Sequence, residues 1–343
     1  MTKQTTLAEI GEFGLIERIT KPFTHNHKST KYGVGDDCAV ITSSKTTCTV
    51  ITTDMLVEGI HFDLIYTPLK HLGYKAVVAN ISDIYAMNGT PSHITVSIAV
   101  SAKFSVEAIE QLYEGIHLAC KTYTIDLIGG DTTSSVTGLT ISITAIGTAE
   151  TSAITYRNTA RVNDLICVTG NLGAAYMGLQ ILQREKAVFT QAGAQPKLEG
   201  YEYVLQRQLK PESPKNVLES LKKANIIPTS MIDISDGLSS ELFHICKQSG
   251  VGCNIYEEKL PVHEQTVEVC NEFSIEPLIP MLHGGDDYEL LFTVDITNYD
   301  TISKIQDIHI IGSITQADKG LHLISKAGDH VPLKAQGWTS FAQ

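Results

Sequence analysis

The chain has 343 residues, of which 43% are hydrophobic and 19% are charged, and this length is enough for two domains that each bury a core. A formal net charge of −12 and the lack of a lysine- or arginine-rich cluster exclude a nucleic-acid-binding surface. The polar segment 1–12 lacks the apolar core of a signal peptide, and the longest apolar stretch, 94–100, is far too short to cross a membrane.

The pattern of the first half of the chain predicts an α/β sandwich. After a short helix at 12–19, runs of β-branched residues predict strands, and the spacing of apolar residues predicts a helix at 69–87. Ser105 is a suitable N-cap for a second helix, which ends near Lys121. The predicted strands are 39–41, 49–53, 94–100, 126–128 and 139–147. Their order with the helices, β-β-α-β-α-β-β, makes residues 1–150 a complete domain.

The second half, 151–343, begins after a seam at 150–164 and is predicted to form a second α/β domain. Within it, the segment 187–199 is polar, which indicates an excursion over the surface. The predicted strands are 165–169, 231–234, 252–256, 288–294, 308–314 and 321–324, and the predicted helices are 174–183, 215–224 and 238–249.

Aspartate recurs along the chain in short segments rich in glycine, threonine or serine. Carboxylates that a fold brings together repel one another unless a cation lies between them. Mg²⁺ prefers such oxygen ligands and also binds the phosphates of nucleotides. The pattern therefore predicts a metal-dependent phosphoryl-transfer enzyme, and the lack of a GxxxxGK[ST] motif excludes a P-loop. The segments are Gly35–Asp37, Thr52–Asp54, Ser82–Asp83, Gly129–Thr133, Asp233–Gly237 and Gly284–Asp287.

Asp83 is the most informative of these aspartates. It lies on the apolar face of the predicted helix 69–87, one turn from Ala79 and from Met87, where a charged side chain is rarely buried without a partner. The alternative is that this turn of the helix is exposed. The aspartates at 35–37 and 52–54 have a weaker signal, because turns and strand ends often carry aspartate.

Two glycine-rich segments are suited to phosphate. Gly129–Thr133 follows a predicted strand and offers unhindered N–H groups and hydroxyls, as anion-binding turns do. Asp233–Gly237 precedes a predicted helix, whose N-terminus favours anions. Asp236 could instead be the helix N-cap, which leaves Asp233 unexplained. His61 stands alone in an apolar stretch, where a packed histidine is more common than a ligand.

Seven cysteines are spread along the chain without a Cys-x-x-Cys pair. Each stands in an apolar or helical context, which is typical of reduced thiols in a core, so we expect no disulfides and a cytoplasmic protein. The cysteines are Cys38, Cys48, Cys120, Cys167, Cys246, Cys253 and Cys270.

Taken in this order, the motifs closely resemble those of thiamine-monophosphate kinases. The matching segments are Gly33–Ala39, Thr52–Phe62, Lys75–Gly89, Gly129–Thr133, Asp233–Leu238, Gly284–Leu290 and Gly337–Trp338, within a resemblance that runs from Glu12 to Phe341. The resemblance implies an α/β protein with mixed sheets and the two-domain fold of aminoimidazole ribonucleotide synthetase. Residues 1–150 would bind ATP and Mg²⁺ and form a homodimer through their sheet, and residues 151–343 would complete the active site.

The resemblance also implies roles for individual residues. The family's Mg²⁺ ligands match Asp37, Thr52, Thr53, Asp54, Asp83, Asp131, Asp233 and Asp236, and Asp37, Asp54, Asp83 and Asp131 are expected to be essential for catalysis. Its ATP contacts match Tyr113, Gly130, Asp131, Arg157 and Ser235, and its contacts to thiamine phosphate match His61, Asp286 and Trp338. Asp286 stands where the family commonly has glutamate, which shortens the side chain by one methylene. Thr52 stands where the family commonly has serine, which keeps the hydroxyl.

The implied reaction converts ATP and thiamine phosphate to ADP and thiamine diphosphate. The attacking oxygen belongs to the substrate's own anionic phosphate, so no strong base is required, and catalysis consists of positioning and charge neutralisation by several Mg²⁺ ions. Two alternatives remain, which are another ATP-dependent synthetase of the same superfamily and a non-catalytic binder of nucleotide or thiamine phosphate. A selenophosphate synthetase would need a reactive N-terminal cysteine, and a hydrogenase-maturation relative would need a C-terminal one; neither is found.

Overall fold

The computed structural model describes residues 5–335. The first half folds into a six-stranded sheet with the spatial order β1-β2-β3-β6-β4-β5, in which β4 and β5 are parallel and the other neighbours are antiparallel. Its elements are α1 (Leu7–Thr20), β1 (Thr30–Tyr32), β2 (Ala39–Thr42), β3 (Thr47–Val57), α2 (Leu69–Ala86), β4 (Thr90–Ser101), α3 (Val106–Tyr123), β5 (Asp126–Ser135) and β6 (Thr140–Glu150).

The second half folds around a seven-stranded sheet with the spatial order β13-β12-β9-β11-β7-β10-β8, in which only β9 and β12 pair in parallel. Its strands are β7 (Leu165–Thr169), β8 (Ser230–Ile234), β9 (Val251–Tyr256), β10 (Glu289–Val294), β11 (Ile308–Gln316), β12 (Leu321–Ile324) and β13 (His330–Pro332). Its helices are α4 (Ala174–Ala192), α5 (Glu202–Leu209), α6 (Lys215–Lys223), α7 (Leu238–Ser249), α8 (Glu264–Phe273), α9 (Leu278–His283) and α10 (Tyr299–Ile302).

Helix α2 is shared by the two sheets. It packs on β3, β4 and β6 of the first sheet and also contacts the edge strand β8 and its neighbour β10 of the second. Of its 18 residues, 14 are buried, as expected for a helix that is covered on all sides. The largest apolar cluster accordingly runs from Val50 and Ile84 in the first half to Met231 and Phe292 in the second. Because of this sharing, side chains of α2 face residues from both halves of the chain.

A close crossing with α3 fixes the position of α2. A Cβ atom added at Gly73 would lie 2.0 Å from the backbone oxygen of Leu112, and one added at Gly115 would lie 1.9 Å from that of Lys70. Real Cβ atoms do not approach backbone this closely, so the two helices can meet at this distance only through glycine.

The mixed α/β fold with its two sheets is confirmed, and most predicted elements are present with bounds shifted by a few residues. The predicted helix 12–19 matches the part of α1 that follows the non-helical Gly11, and α1 also includes a turn before it. Two predictions were wrong. The segment Gly129–Thr133 is not a turn, because β5 continues through it. α4 runs to Ala192 and so includes the start of the predicted surface excursion. Helices α5, α8, α9 and α10 and the short strands β1 and β13 were not predicted.

All seven cysteines are buried and free. Among the residues that the structure describes, no helix has the length and apolar character needed to cross a membrane. The domain boundary at 150 stays a prediction, since the shared cluster joins the halves on either side of it.

Candidate active site between the two sheets

Three carboxylates meet where α2 lies between the sheets. Asp37 precedes β2, Asp83 lies on α2 and Asp233 lies on β8, and each offers an oxygen within 4.8 Å of the other two. Asp37 and Asp233 are buried, and Asp83 is partly buried. A single divalent cation could accept an oxygen from each of them.

Hydroxyl groups from neighbouring elements hold this trio in place. Thr52 Oγ1 of β3 donates a hydrogen bond to Asp83 Oδ2 at 2.5 Å, and Ser82 Oγ of α2 donates to Asp233 Oδ2 at 2.6 Å. On the same face of β3, the backbone N–H of Asp54 donates to Asn80 Oδ1 of α2 at 3.0 Å. The alternation of side chains along β3 thus places Thr52 and Asp54 together, facing α2.

The charges of these carboxylates are poorly compensated. Burial raises the pKa of Asp83 well above its usual range, and the neighbouring charges of Asp54, Asp233 and Asp37 raise it further. Burial and the charge of Asp37 likewise raise the pKa values of Asp54 and Asp233. The atoms available as metal ligands are all oxygens, and the site has too little positive charge to balance its carboxylates. The trio therefore fits a hard cation such as Mg²⁺.

Arg157 supplies positive charge on one side of the trio only. Its Nη2 lies 2.6 Å from Asp37 Oδ1 and its Nε lies 3.0 Å from Asp37 Oδ2, while its backbone N–H donates to Asp36 Oδ2 at 3.2 Å. Burial would lower the pKa of Arg157, but the two aspartates outweigh it and raise that pKa. The sequence predicts Arg157 as an ATP contact; in the structure its guanidinium is bound to Asp37.

Ser235 and Asp236 follow β8 and enter α7. The N-cap of α7 is Gly237 rather than Asp236, so the N-cap interpretation of Asp236 was wrong. The backbone N–H of Asp236 donates to Glu241 Oε1 at 3.0 Å, and burial raises the pKa of Asp236 to about 6, with the charge of Glu12 adding to the shift. The carbonyl of Ser235 accepts from the N–H of Asp286 at 2.8 Å, which joins this segment to the loop before β10.

Asp286 carries a second part of the site. Its Oδ2 lies 2.9 Å from Lys75 Nζ, and its Oδ1 accepts from Tyr288 Oη at 2.9 Å. Burial would raise the pKa of Asp286, but the charge of Lys75 and the hydrogen bonds outweigh it and lower that pKa. Lys75 was not identified from the sequence. Its position eight residues before Asp83 on the same helical face was the available signal.

His61 lies near this ion pair, on the loop after β3. Its Nδ1 accepts from the backbone N–H of Val57 at 3.1 Å, which leaves Nε2 as the N–H donor of a neutral imidazole. Burial lowers the pKa of His61 and favours the neutral form, although the charge of Asp286 acts in the opposite direction. The same loop is tied to α4 by Lys186 Nζ and Asp63 Oδ2, 2.5 Å apart.

Four predicted residues, Thr53, Tyr113, Gly130 and Asp131, lie away from the trio in the single chain. Asp131 is exposed on β5 and pairs with Ser97, while its neighbour Gly130 pairs with the buried Val96. By strand alternation, Asp131 points to the sheet face opposite α2. Thr53 also faces that side, with its hydroxyl donating to the carbonyl of Ile143 at 3.1 Å.

Tyr113 of α3 borders an open cavity of about 330 Å³ that is separate from the carboxylate trio. Its lining is formed by Phe104, Ser105, Val106, Ile109, Glu110 and Tyr113. Trp338, the remaining predicted contact, lies outside the described residues.

Comparisons with known proteins agree on one family. Residues 35–149 match the family described as "AIR synthase related protein, N-terminal domain". The thiamine-monophosphate kinase of Bacillus subtilis (strain 168) is 33% identical over 96% of this chain and 99% of its own length. That of Buchnera aphidicola subsp. Schizaphis graminum is 35% identical over 97% of this chain and 99% of its own.

Solved structures give the same result. One described as "AaThiL complexed with AMPPCP and TMP" superposes with a TM-score of 0.84 at 29% identity, covering 99% of this chain and all of that one. A HypE–HypF complex has a TM-score of 0.72 at 20% identity, covers 94% of this chain and 99% of the matched one, and shows the shared fold alone. The relatives that share 33–35% identity with this chain along nearly its whole length are thiamine-monophosphate kinases, and the chain therefore belongs to the thiamine-monophosphate kinase family.

Proposed function

We propose that this protein transfers the γ-phosphoryl group of ATP directly to the phosphate of thiamine phosphate, which yields ADP and thiamine diphosphate. The observation that carries the proposal is the Asp37–Asp83–Asp233 trio, whose oxygens lie within 4.8 Å of one another beside a partly exposed acceptor region at His61 and Asp286. A family structure that holds the ATP analogue AMPPCP together with TMP supports ATP as the phosphoryl donor.

Mg²⁺ is the cation that fits the trio, and we expect several ions in the complete site. Bound Mg²⁺ supplies neutralisation of the phosphate charges and alignment of the two phosphates for in-line transfer. Asp37, Asp83 and Asp233 would hold the first ion. Thr52, Asp54 and Asp236 lie around them and would complete the coordination, with Thr53 and Asp131 as the remaining predicted ligands.

The side chains of the site position the two substrates, and none of them acts as a strong base. The attacking oxygen already carries negative charge near neutral pH, so proton removal is not the difficult step. The Nε2–H of His61 can donate to an anionic acceptor, and Arg157 can exchange part of its contact with Asp37 for a phosphate of ATP, assisted by Ser235 at the start of α7. Asp286 and Trp338 would contact the thiamine part of the acceptor.

We further propose a homodimer formed by the first half of the chain. β5 is an edge strand whose residues are almost all exposed, with Leu127 and Ile128 at 45% and 56% exposure, and unpaired apolar edges of this kind favour pairing with another chain. In such a dimer, Gly130, Asp131 and Tyr113 would contact a bound ATP at this edge of the sheet. Size-exclusion chromatography with light scattering should report a dimer of 37.4 kDa chains, and a monomer at micromolar concentration contradicts it.

ADP release tests the reaction. With Mg²⁺ and ATP, we expect ADP in amounts equal to the thiamine diphosphate formed from thiamine phosphate, and little with thiamine. ADP release with an aminoimidazole-type substrate would instead identify another synthetase of the superfamily. Binding of both substrates without ADP release would identify a non-catalytic binding protein. The seven buried free thiols support a cytoplasmic location, which fractionation of expressing cells would test.

A further inference from the structure

Lys75 is a buried cation that the proposed chemistry does not yet use. Its side chain is 5% exposed, whereas that of its partner Asp286 is 35% exposed. Besides the contact with Asp286, Lys75 Nζ donates to the backbone carbonyl of Gln208 at 3.2 Å. A lysine is rarely buried unless it is paired, and this one is enclosed while the carboxylate that it holds remains accessible from the site. Lys75 therefore acts through Asp286 and does not itself reach a bound molecule.

The carboxylate of Asp286 is held by donors from three elements. Lys75 of α2 and Gln208 of α5 donate to Oδ2, at 2.9 and 3.4 Å, and Tyr288, next to β10, donates to Oδ1 at 2.9 Å. An ionised carboxylate has about four acceptor positions. The three donors leave one position, on Oδ1, for a donor from a bound molecule. An aspartate also has one rotatable bond fewer than a glutamate, so these contacts are enough to fix its orientation.

The backbone beneath Asp286 is equally constrained. Asp286 and Tyr288 both have left-handed backbone, with φ of 65° and 51°, which non-glycine residues adopt at a cost and often at functional sites. Their N–H groups donate to the carbonyls of Ser235 and Ile234 of the β8 segment, at 2.8 and 2.9 Å. Between them, Asp287 Oδ2 accepts from the N–H of Gly173 at 2.8 Å. The loop is thus fixed to β8 and α4, and the direction of the Asp286 carboxylate is set by Lys75, Gln208 and Tyr288.

We propose that Lys75 is a positioning residue for the acceptor substrate: it orients the Asp286 carboxylate so that the remaining acceptor position on Oδ1 receives an N–H donor from the acceptor's amino-bearing heteroaromatic part. The inference rests on the proposed function, because it names how that same site recognises thiamine phosphate. His61, on the adjacent loop, presents its Nε2–H to the same region.

A purely structural ion pair is the competing explanation, and a double-mutant cycle separates the two. If Lys75 acts through Asp286, its loss matters only while the carboxylate is present. We expect Lys75→Met and Asp286→Asn each to raise the KM for thiamine phosphate roughly tenfold or more, as loss of a charged hydrogen bond implies. The KM for ATP should change less than about twofold, and the double variant should be no worse than Asp286→Asn alone.

Lys70→Met is the matched control. Lys70 lies on the same helix and pairs with Glu114, but both side chains are exposed, at 53% and 59%, so the KM for thiamine phosphate should stay at the wild-type value. Lys75→Arg keeps the charge and should recover part of the lost affinity. Calorimetric titration with thiamine phosphate in the absence of ATP measures the binding affinity of each variant, which gives the same double-mutant cycle in terms of binding.

Additive effects overturn the inference: if Lys75→Met raises the KM as much in the Asp286→Asn background as in the wild type, Lys75 acts independently of the carboxylate. An unchanged KM in a folded Lys75→Met protein overturns it as well. Should the lysine variants not fold, Tyr288→Phe removes only the donor to Oδ1 and should raise the KM for thiamine phosphate a few-fold. An unchanged KM in this variant counts against the proposed positioning of the Asp286 carboxylate. Failure of the proposed function is distinct, because then the wild type itself releases no ADP with thiamine phosphate.

Discussion

Near the C-terminal end of α2 the carboxylates of Asp37, Asp83 and Asp233 crowd within 4.8 Å of one another, whereas nearer the start of this helix Asp286 is paired with Lys75 at 2.9 Å. Asp83 and Lys75 lie eight residues apart on one face of α2, about 12 Å along the helix axis. The first group lacks enough positive charge and needs a bound cation to be stable. The second has its counter-ion built in and is ordered before any ligand arrives. One helix therefore carries both a site that a metal completes and a site that is already assembled.

The largest effect should come from removing one charge at the crowded end. Asp83→Asn keeps the shape of the side chain and its place beside Thr52 but removes a charge that balances Mg²⁺. We expect kcat to fall on the order of 100-fold or more, and half-maximal activity to require more Mg²⁺. Steady-state kinetics across a Mg²⁺ titration measure both. Near-normal turnover at ordinary Mg²⁺ would remove Asp83 from the metal site.

A smaller effect is expected at the acceptor end from the only tryptophan, Trp338. Stacking and cation–π attraction to the thiamine rings would contribute on the order of 1–2 kcal/mol, so Trp338→Ala should raise the KM for thiamine phosphate roughly tenfold with little change for ATP. Since no other tryptophan is present, the fluorescence of the wild type should also respond to thiamine phosphate. If neither quantity responds, Trp338 serves only as an anchor of the tail.

The smallest effect concerns stability and pH in the metal-free protein. Burial, with mutual repulsion, raises the pKa values of Asp83, Asp54 and Asp233 above the ordinary 3.8. The folded state then binds more protons than the unfolded state. The stabilisation is complete below the unfolded pKa and is lost as pH rises through the folded values.

We therefore expect the Tm without Mg²⁺ to fall by several degrees between pH 5 and pH 8. Saturating Mg²⁺ should remove most of this slope, because a bound cation keeps the carboxylates ionised. Differential scanning calorimetry in matched buffers, with and without Mg²⁺, makes the comparison. A metal-free Tm that rises with pH would show that ionisation of the crowded carboxylates does not destabilise the folded state. Asp83→Asn should flatten the metal-free slope in the same measurement.

The parts of the structure that were predictable from the sequence are those with strong local signals. β7, α7 and β12 were predicted with the bounds that the structure has, because each combines clear periodicity with nearby breakers. The segment Gly129–Thr133 was predicted as a turn because of its glycines, yet pairing with β4, some 35 residues earlier in the chain, keeps it extended.

The candidate site was predictable where an aspartate stands at a position that is otherwise apolar, as Asp83 does on the apolar face of its predicted helix. For Lys75 the available signal, its place on the helical face of Asp83, was too weak to identify it, since a lysine in a helix is ordinary until Asp286, 211 residues later, is known to face it. The position of Asp131 on the sheet face opposite α2 depends on strand register, which the motif does not encode.

The sharing of α2 between the sheets has a consequence for synthesis of the chain. When α2 leaves the ribosome, the strand that will cover one of its sides, Ser230–Ile234, is still more than 100 residues from being made. Until then the apolar surface meant for β8 and β10 faces water, although β3, β4 and β6 can already cover the other side. We therefore expect the nascent first half to bind chaperones during this interval. A fragment ending at residue 150 would retain this exposed surface permanently and would aggregate.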